Sequence, residues 1–508
     1  MKQSVFGIKK ASTLLFIALT LMVSCGVHSK DAFKFEQLVI EATFNITQEP
    51  IRANLTSAPG KELIVIGERD GISHMALFAL NETSNRYQMQ FDIPIPAQYF
   101  AYDVDDFATG NTETQQALYF LAADHVAKFK LDEQPDFDRL VDVQSMYVTR
   151  QAPYLKQWDF VQDVNDDSLS DVILMGFASL NVYLQNTSGF ILQQLPIEPI
   201  VEIFDNSVSY TEKPFYLLDM TFDGKKDVVL TADGELHVFA QNPQGMFAKR
   251  QATVMLNNSI SAVNWWDARG SDGKTVDQSN FSHRNIVNLS DLNNDSIPDL
   301  VVLFTQSSGV LDKRTDYEVY LGRNANGRVA FSSIANTAIK SQGTLTQLEF
   351  IDVNGDTQPE IMTSSFDISV SQIIGALLSS SVDQDVLIFA MNGEQDYQLA
   401  FKDQVQLQFS LSSGRSGAPV VELADLNGDG AQELILSAGD KQLNIFPGGQ
   451  STPLINASSQ KLEVSLPKNG VFVFSDDLNL DGKDEIMLRY AAEDGKQQQK
   501  RLLLIRSE

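Results

Sequence analysis

Asp425-Leu426-Asn427-Gly428-Asp429-Gly430-Ala431-Gln432-Glu433 is the stretch from which the rest of the chain can be read. Oxygen-bearing side chains stand at positions 1, 3, 5 and 9 of a nine-residue loop. Apolar residues precede it (Val420, Val421, Leu423) and follow it (Leu434, Ile435, Leu436). Short apolar runs on both sides of an acidic turn read as two strands joined by a metal-binding loop.

The pattern recurs, beginning at Asp163, Asp219, Asp291, Asp352 and Asp477. Position 5 is Asp in every copy: Asp167, Asp223, Asp295, Asp356, Asp429 and Asp481. Position 3 is Asn165, Thr221, Asn293, Asn354, Asn427 and Asn479. Position 9 is Asp171, Asp227, Asp299, Glu360, Glu433 and Glu485. Position 7 varies freely, as a site that lends only its backbone carbonyl can. Oxygen-only donors at alternating positions suit a hard cation with a large, flexible shell, which predicts about six Ca2+ sites. Gly224, Gly430 and Gly482 at position 6 permit a sharp turn. Ser168, Ser296 and Thr357 hold that place in the other copies, where a different bend is expected. An EF-hand would need a bidentate Glu at position 12 and flanking helices. Position 12 is Leu174, Leu230, Val302, Thr363, Leu436 and Leu488, and the flanks are short β-type runs such as Leu300-Val301-Val302-Leu303.

The six loops start 52 to 73 residues apart, room for four short strands each. Two degenerate units precede them. Asn54 to Glu62 carries Ala58 at position 5, and a second opens at Asp103 with Phe107 at position 5, so neither is expected to hold an ion. The count is then eight repeat units. This periodicity predicts an all-β propeller of seven or eight four-stranded blades, with a sandwich array as the alternative. The chain ends on a β-run, Arg501 to Ile505, and a strand near Asp31 to Ile46 is placed to complete the last blade.

The loops resemble those of FG-GAP/VCBS-type repeats, found in integrin alpha-chain propellers and in many secreted or lipid-anchored bacterial proteins. The resemblance runs from about Asp31 to the end. It implies that the acidic and amide positions above are calcium ligands. Gly417-Ala418-Pro419 is one surviving match to the Gly-Ala-Pro element of the family name.

The first residues read as a targeting segment. Lys2, Lys9 and Lys10 supply positive charge, and Ala11 to Val23 is an apolar stretch too short to span a bilayer. It ends at Ser24-Cys25-Gly26. This resembles a bacterial lipoprotein signal, with Cys25 lipidated after cleavage; an ordinary secretory signal is the alternative. The organisation expected is a signal peptide over 1–24, a lipidated tether over 25–31 and the propeller over 32–508. By the same resemblance, Gly26 rather than Asp after the cysteine points to the outer membrane. Cys25 is the single cysteine, so no disulfide supports the exported fold. The formal net charge of −28 is in part ligand charge, and it argues against nucleic acid as a partner.

Two insertions interrupt the repeats. Trp265 and Trp266 open a polar stretch that runs to His283; paired Trp can stack on sugar rings or fill a partner's pocket, or pack into the blade. Residues 367–384 place Ile368, Ile373, Ile374, Leu377 and Leu378 near helical spacing, as a lid or as a segment packed on the ring. No H-E-x-x-H, no G-x-S-x-G and no Gly-rich phosphate loop occurs, and the histidines are scattered. The expectation is a non-catalytic, calcium-stabilised, envelope-tethered module that binds or scaffolds an envelope or extracellular protein or glycan. The alternative is a polysaccharide-degrading enzyme, lyase or hydrolase, built on a calcium propeller.

Overall fold

Strands that follow the acidic loops are buried residue after residue over at least their first four positions, and the architecture explains why. The computed structural model describes residues 33–105, 116–131, 134–148, 154–204, 206–256, 259–266, 277, 279–309, 312–340, 343–366, 379–410 and 415–507. In it, the strands Asp171–Met175 and Glu485–Arg489 are buried at every residue. Each is the second strand of a four-stranded blade, covered on both faces by neighbouring blades, so alternation between polar and apolar residues is lost.

Eight such blades follow one another in residues 34–508. Blade 7 shows the plan: Val421–Ala424 is innermost, then Glu433–Ser437, Gln442–Phe446 and Gln460–Glu463, each antiparallel to the last. Apolar clusters fill the seams between blades. Ile64, Ile66, Met75 and Leu77 of blade 1 pack with Tyr102, Leu118 and Phe120 of blade 2. Val301, Val319 and Ile339 of blade 5 pack with Ile361 and Leu387 of blade 6. Blade 8 is completed from the other end of the chain. Phe35–Glu41 pairs antiparallel with Arg501–Ser507, Phe35 opposite Ser507 and Glu41 opposite Arg501. The count of eight and the closing strand thus match expectation.

Antiparallel order fixes which side each connection leaves. Turns from the first to the second strand emerge on one face of the ring. Turns from the second to the third strand, and crossings to the next blade, emerge on the other. All six acidic loops are first-to-second turns, for example Asp425 to Glu433 between Val421–Ala424 and Glu433–Ser437. The connection from Asp312–Tyr320 to Thr337–Lys340, with its hairpin Arg323–Asn324 and Val329–Ala330, shares the face of the acidic loops. Two long insertions lie on the opposite face. One is a hairpin between blades 3 and 4, Ile200–Phe204 with Ser207–Thr211. Another is the crossing from Ala252–Met255 to Phe281–Ser290, which contains Trp265 and Trp266. Lys156–Gln157 adds a parallel strand inside blade 2, beside Ala101–Val104, which the repeat pattern did not announce. The helical spacing read over 367–384 falls mostly on 367–378, outside the described residues.

One register is corrected. In the other blades position 1 follows directly on the innermost strand, as Asp163 follows Val161–Gln162. In blade 2 that strand runs Ala101–Val104, so position 1 is Asp105 and not Asp103. Asp103 lies within the strand. Its Oδ2 accepts the amides of Phe160 and Val161, each at 2.7 Å, and ties blade 2 to blade 3.

Candidate metal centres

Each acidic loop is built on the same hydrogen bonds, in which short carboxylates cap backbone amides within the turn. The position-1 Asp accepts from the amides of positions 5 and 6. In the blade 7 loop Asp425 Oδ1 takes Asp429 N at 3.2 Å and Oδ2 takes Gly430 N at 2.8 Å. Asp163, Asp219, Asp291, Asp352 and Asp477 do the same, their Oδ2 bonds all between 2.7 and 2.9 Å. The position-5 Asp accepts from the position-7 amide in every loop, at 2.8 to 3.0 Å.

Backbone conformation is equally uniform. Position 6 is left-handed throughout: Ser168, Gly224, Ser296, Thr357, Gly430 and Gly482 have φ from 64° to 84°. The expected difference in bend at Ser168, Ser296 and Thr357 is therefore absent. Position 4 is left-handed too, at Asp166, Phe222, Asn294, Gly355, Gly428 and Leu480. Phe, Leu and Thr adopt this region at a cost, so the surrounding hydrogen bonds impose it.

Positions 1 and 3 meet at one point. Asp167 N is shared by Asp163 Oδ1 at 3.0 Å and Asn165 Oδ1 at 3.2 Å, which sets the two oxygens side by side. The loops of Asn293, Asn354 and Asn479 repeat this arrangement. Asn427 does not share the Asp429 amide, and like Asn354 and Asn479 it donates through Nδ2 to its position-9 Glu, Glu433 Oε1 at 2.9 Å. In blade 4 position 3 is Thr221, whose Oγ1 is buried with no hydrogen-bond partner. An oxygen stranded there, where its counterparts carry an amide oxygen, is the donor a cation would satisfy. These residues fit a hard cation held by the side-chain oxygens of positions 1, 3 and 5 and the carbonyl of position 7.

Position 9 is placed differently from the other three. Its carboxylate points into the blade and brackets the loop. One oxygen always accepts the position-2 amide, as Asp171 does from Val164 at 3.2 Å and Glu485 from Leu478 at 2.9 Å. In the Asp copies the second oxygen takes an amide further along the same blade: Gln185 for Asp171, Gln241 for Asp227, Gly322 for Asp299. In the longer Glu360, Glu433 and Glu485 it takes the position-3 side chain. Among the described residues no three His, Cys, Asp or Glu side chains gather as one metal cluster. Burial pushes Asp171, Asp299, Glu360, Glu433 and Glu485 up to about 7 and Asp227 to about 6, and the carboxylates at positions 5 and 1 add to the shift. Blade 1 shows the bracket without the acidic turn: Glu62 accepts Leu55 N at 2.7 Å, although positions 1 and 5 are Asn54 and Ala58. Sequence alone did not separate this bracketing role from ligation, because Asp and Glu serve either.

The loops also hold neighbouring blades. Position 2 is buried in all six, and the carbonyls of Leu478 and Val353 accept across the seam, from Lys61 N at 2.7 Å and Gln432 N at 2.8 Å. Asp484 and Asp425 exchange two bonds of 2.7 Å between blades 8 and 7. Lys226 reaches Asp163 O and Asp166 in the preceding loop.

On the opposite face, Trp265 is half-buried and Trp266 is 51% exposed, their rings 5.5 Å apart edge to face. The structure thus divides the pair, with one residue packed and the other presented. Gly417 of the Gly-Ala-Pro match sits where an added Cβ would lie 1.9 Å from Lys468 O, which explains why that glycine remains. His237 is held by Glu235 at 2.6 Å across a blade surface.

Residues 291–363, which contain two of the acidic loops, match the family model of the FG-GAP-like repeat. No curated protein matches the chain in sequence. Among solved structures it is similar to Sqt1 from Chaetomium thermophilum, at 10% identity over 94% of this chain and 100% of that one, with a TM-score of 0.41. It is also similar to an Agrocybe aegerita lectin described as recognising non-reducing terminal N-acetylglucosamine (12%, 83% and 81%, TM-score 0.34). A third likeness is to the V. cholerae biofilm matrix protein Bap1 (12%, 92% and 89%, TM-score 0.32). Similarity at this level leaves function to be argued from the residues themselves.

Proposed function

We propose that this chain is a calcium-stabilised binding propeller, tethered to the bacterial envelope through a lipidated Cys25 and presenting its insertion-bearing face to a protein or glycan. The observation that carries the reading is the identity of the six loops. Different residues at positions 4 and 6 are forced into one left-handed geometry, and in four loops the position-1 Asp and position-3 Asn oxygens share the position-5 amide. Asp163, Asn165 and Asp167, and their counterparts in the other loops, would hold the ions. A divalent cation there would offset the mutual repulsion of the two aspartates and the charge of the buried position-9 carboxylate behind them. The calcium loops then brace the ring on one side and leave the other free for recognition.

The full chain, solubilised in mild detergent and immobilised, would be exposed to cell envelope extract with calcium and then with chelator. Retained protein and glycan would be identified by mass spectrometry. The reading expects a defined species retained with calcium and released without it. Turnover of a polysaccharide by the same preparation would replace the binding module with an enzyme. Tethering is tested separately: metabolic labelling with a fatty-acid analogue should mark the wild type and leave Cys25→Ser unlabelled.

A further inference from the structure

We infer that the face opposite the acidic loops carries a carbohydrate subsite, formed by Trp266 and the polar cavity beside Phe281. The inference rests on the binding-module reading and names the ligand class for one place on it.

The segment leading to the Trp pair is pinned to the innermost strand of blade 5. Ser261 N donates to Arg284 O at 2.7 Å, His283 Nε2 bonds Val263 O at 2.8 Å, and Asn285 Nδ2 donates to Asn264 Oδ1 at 2.9 Å. Trp265 is then fixed on three sides. Trp266 meets it edge to face, Phe281 lies 5.7 Å away, and the Lys313 ammonium sits 4.1 Å over its ring. A rigid aromatic wall results, with the Trp266 ring half in solvent on its outer side. A large apolar ring held exposed on a pinned backbone loses little entropy when a ligand covers it.

Phe281 belongs both to this wall and to the rim of a cavity of about 610 Å³. Around that cavity stand Asn280, Ser282, Gln306, Ser308 and Arg314. Planar amides, hydroxyls and a guanidinium supply donors and acceptors in pairs. A pyranose ring matches the combination, because its C–H face covers an aromatic ring while its hydroxyls project sideways into polar groups. A protein partner is favoured less, since protein hot spots are apolar pockets that exclude water and this cavity is polar. The local field is mixed. Arg314 is paired with Asp316 at 3.3 Å, and Asp277 lies on the same crossing, so neutral sugars are admitted.

The full chain in detergent would be titrated with short chito-, cello-, xylo- and manno-oligosaccharides, reading tryptophan fluorescence and calorimetry. At least one series should bind, with Trp266→Ala weakening it about tenfold or more. Trp266→Phe should recover much of the loss and Gln306→Ala should weaken binding on its own. The melting temperature of Trp266→Ala should fall by only about 1–3 °C, because half of its ring is already exposed. Saccharide binding that Trp266→Ala leaves intact would overturn the subsite but not the binding module. No saccharide bound, with an envelope protein captured instead, would likewise sink the subsite alone. Neither ligand retained would remove both readings.

Discussion

On the proposed calcium reading, chelation is the perturbation whose size can be worked out most directly. Extracellular calcium modules bind at roughly 10⁻⁴–10⁻³ M, so 10 mM calcium exceeds the dissociation constant by about 10 to 100. Linkage then makes each occupied loop worth ~1.4–2.7 kcal/mol, and six independent loops ~8–16 kcal/mol. The folded unit spans roughly 475 residues, and at about 2.1 cal/mol/K each its unfolding entropy is ~1 kcal/mol/K. One kilocalorie therefore moves the midpoint by about 1 °C, and full chelation by roughly 8–16 °C. Asp429→Ala empties one loop and also removes the Asp429 Oδ1 bond to Ala431 N. It should cost about 2–4 °C in calcium and only about 1 °C in chelator, where the lost hydrogen bond alone remains. Scanning calorimetry at matched ionic strength, with magnesium replacing calcium as a control, reads both. A midpoint that stays the same within about 1 °C between 10 mM calcium and chelator would refute the reasoning, since the entropy scaling leaves no room for six occupied sites to be silent.

Other outcomes follow from single positions. Leu480 is left-handed at φ 59° and 39% exposed, so Leu480→Asn should stabilise by about 1 kcal/mol, read as a melting shift of about 1 °C. Gly417→Ala places a Cβ 1.9 Å from the Lys468 carbonyl; it should reduce the soluble yield or lower the midpoint, whereas Gly71→Ala, in open space but at φ 80°, should do less harm. Burial pushes Glu422 up to about 7, with Ser475 opposing the shift and Glu349 and Glu49 adding to it. The folded state then holds a proton that the unfolded state has released, so stability falls as pH rises from about 4.5 to 7. Glu422→Gln should flatten that part of the pH profile and gain on the order of 3 kcal/mol at pH 8, measured by urea melts across pH. In blade 1, Glu62→Gln should destabilise with or without calcium, because its bracket to Leu55 N serves a loop that lacks the acidic turn.

Much of this architecture was legible because one chemical requirement repeats. Six Asp at position 1 and six at position 5 marked the turns, and the buried second strands appeared as short apolar runs directly after position 9, the shortest being Ile361-Met362. What escaped depended on contacts distant in sequence. Asp103 looked like the start of a turn, yet it lies in a strand and serves blade 3 through Phe160 and Val161. The common bend at Ser168, Ser296 and Thr357 was hidden because local preference disfavours it, while the position-1 carboxylate imposes it. The position-9 residues concealed a second role for the same reason that they suggested the first, since a carboxylate accepts an amide as readily as it meets a cation. The difference between Trp265 and Trp266 needed Phe281 and Lys313, which arrive from two strands of the next blade.

The pairing of Phe35–Glu41 with Arg501–Ser507 has a temporal consequence. The first strand of the ring emerges early in synthesis and has no partner until nearly the whole chain has followed it. Until then Leu38 and Ile40, which end up buried against Leu502 and Leu504, are exposed on an open edge. Closure over so long a loop is slow, and open edges invite pairing with other chains. Successive blades can already stack on their neighbours while the last is awaited. The final step is then a single latch, and a chain cut short before Arg501 would keep most of its packing and lose its ring.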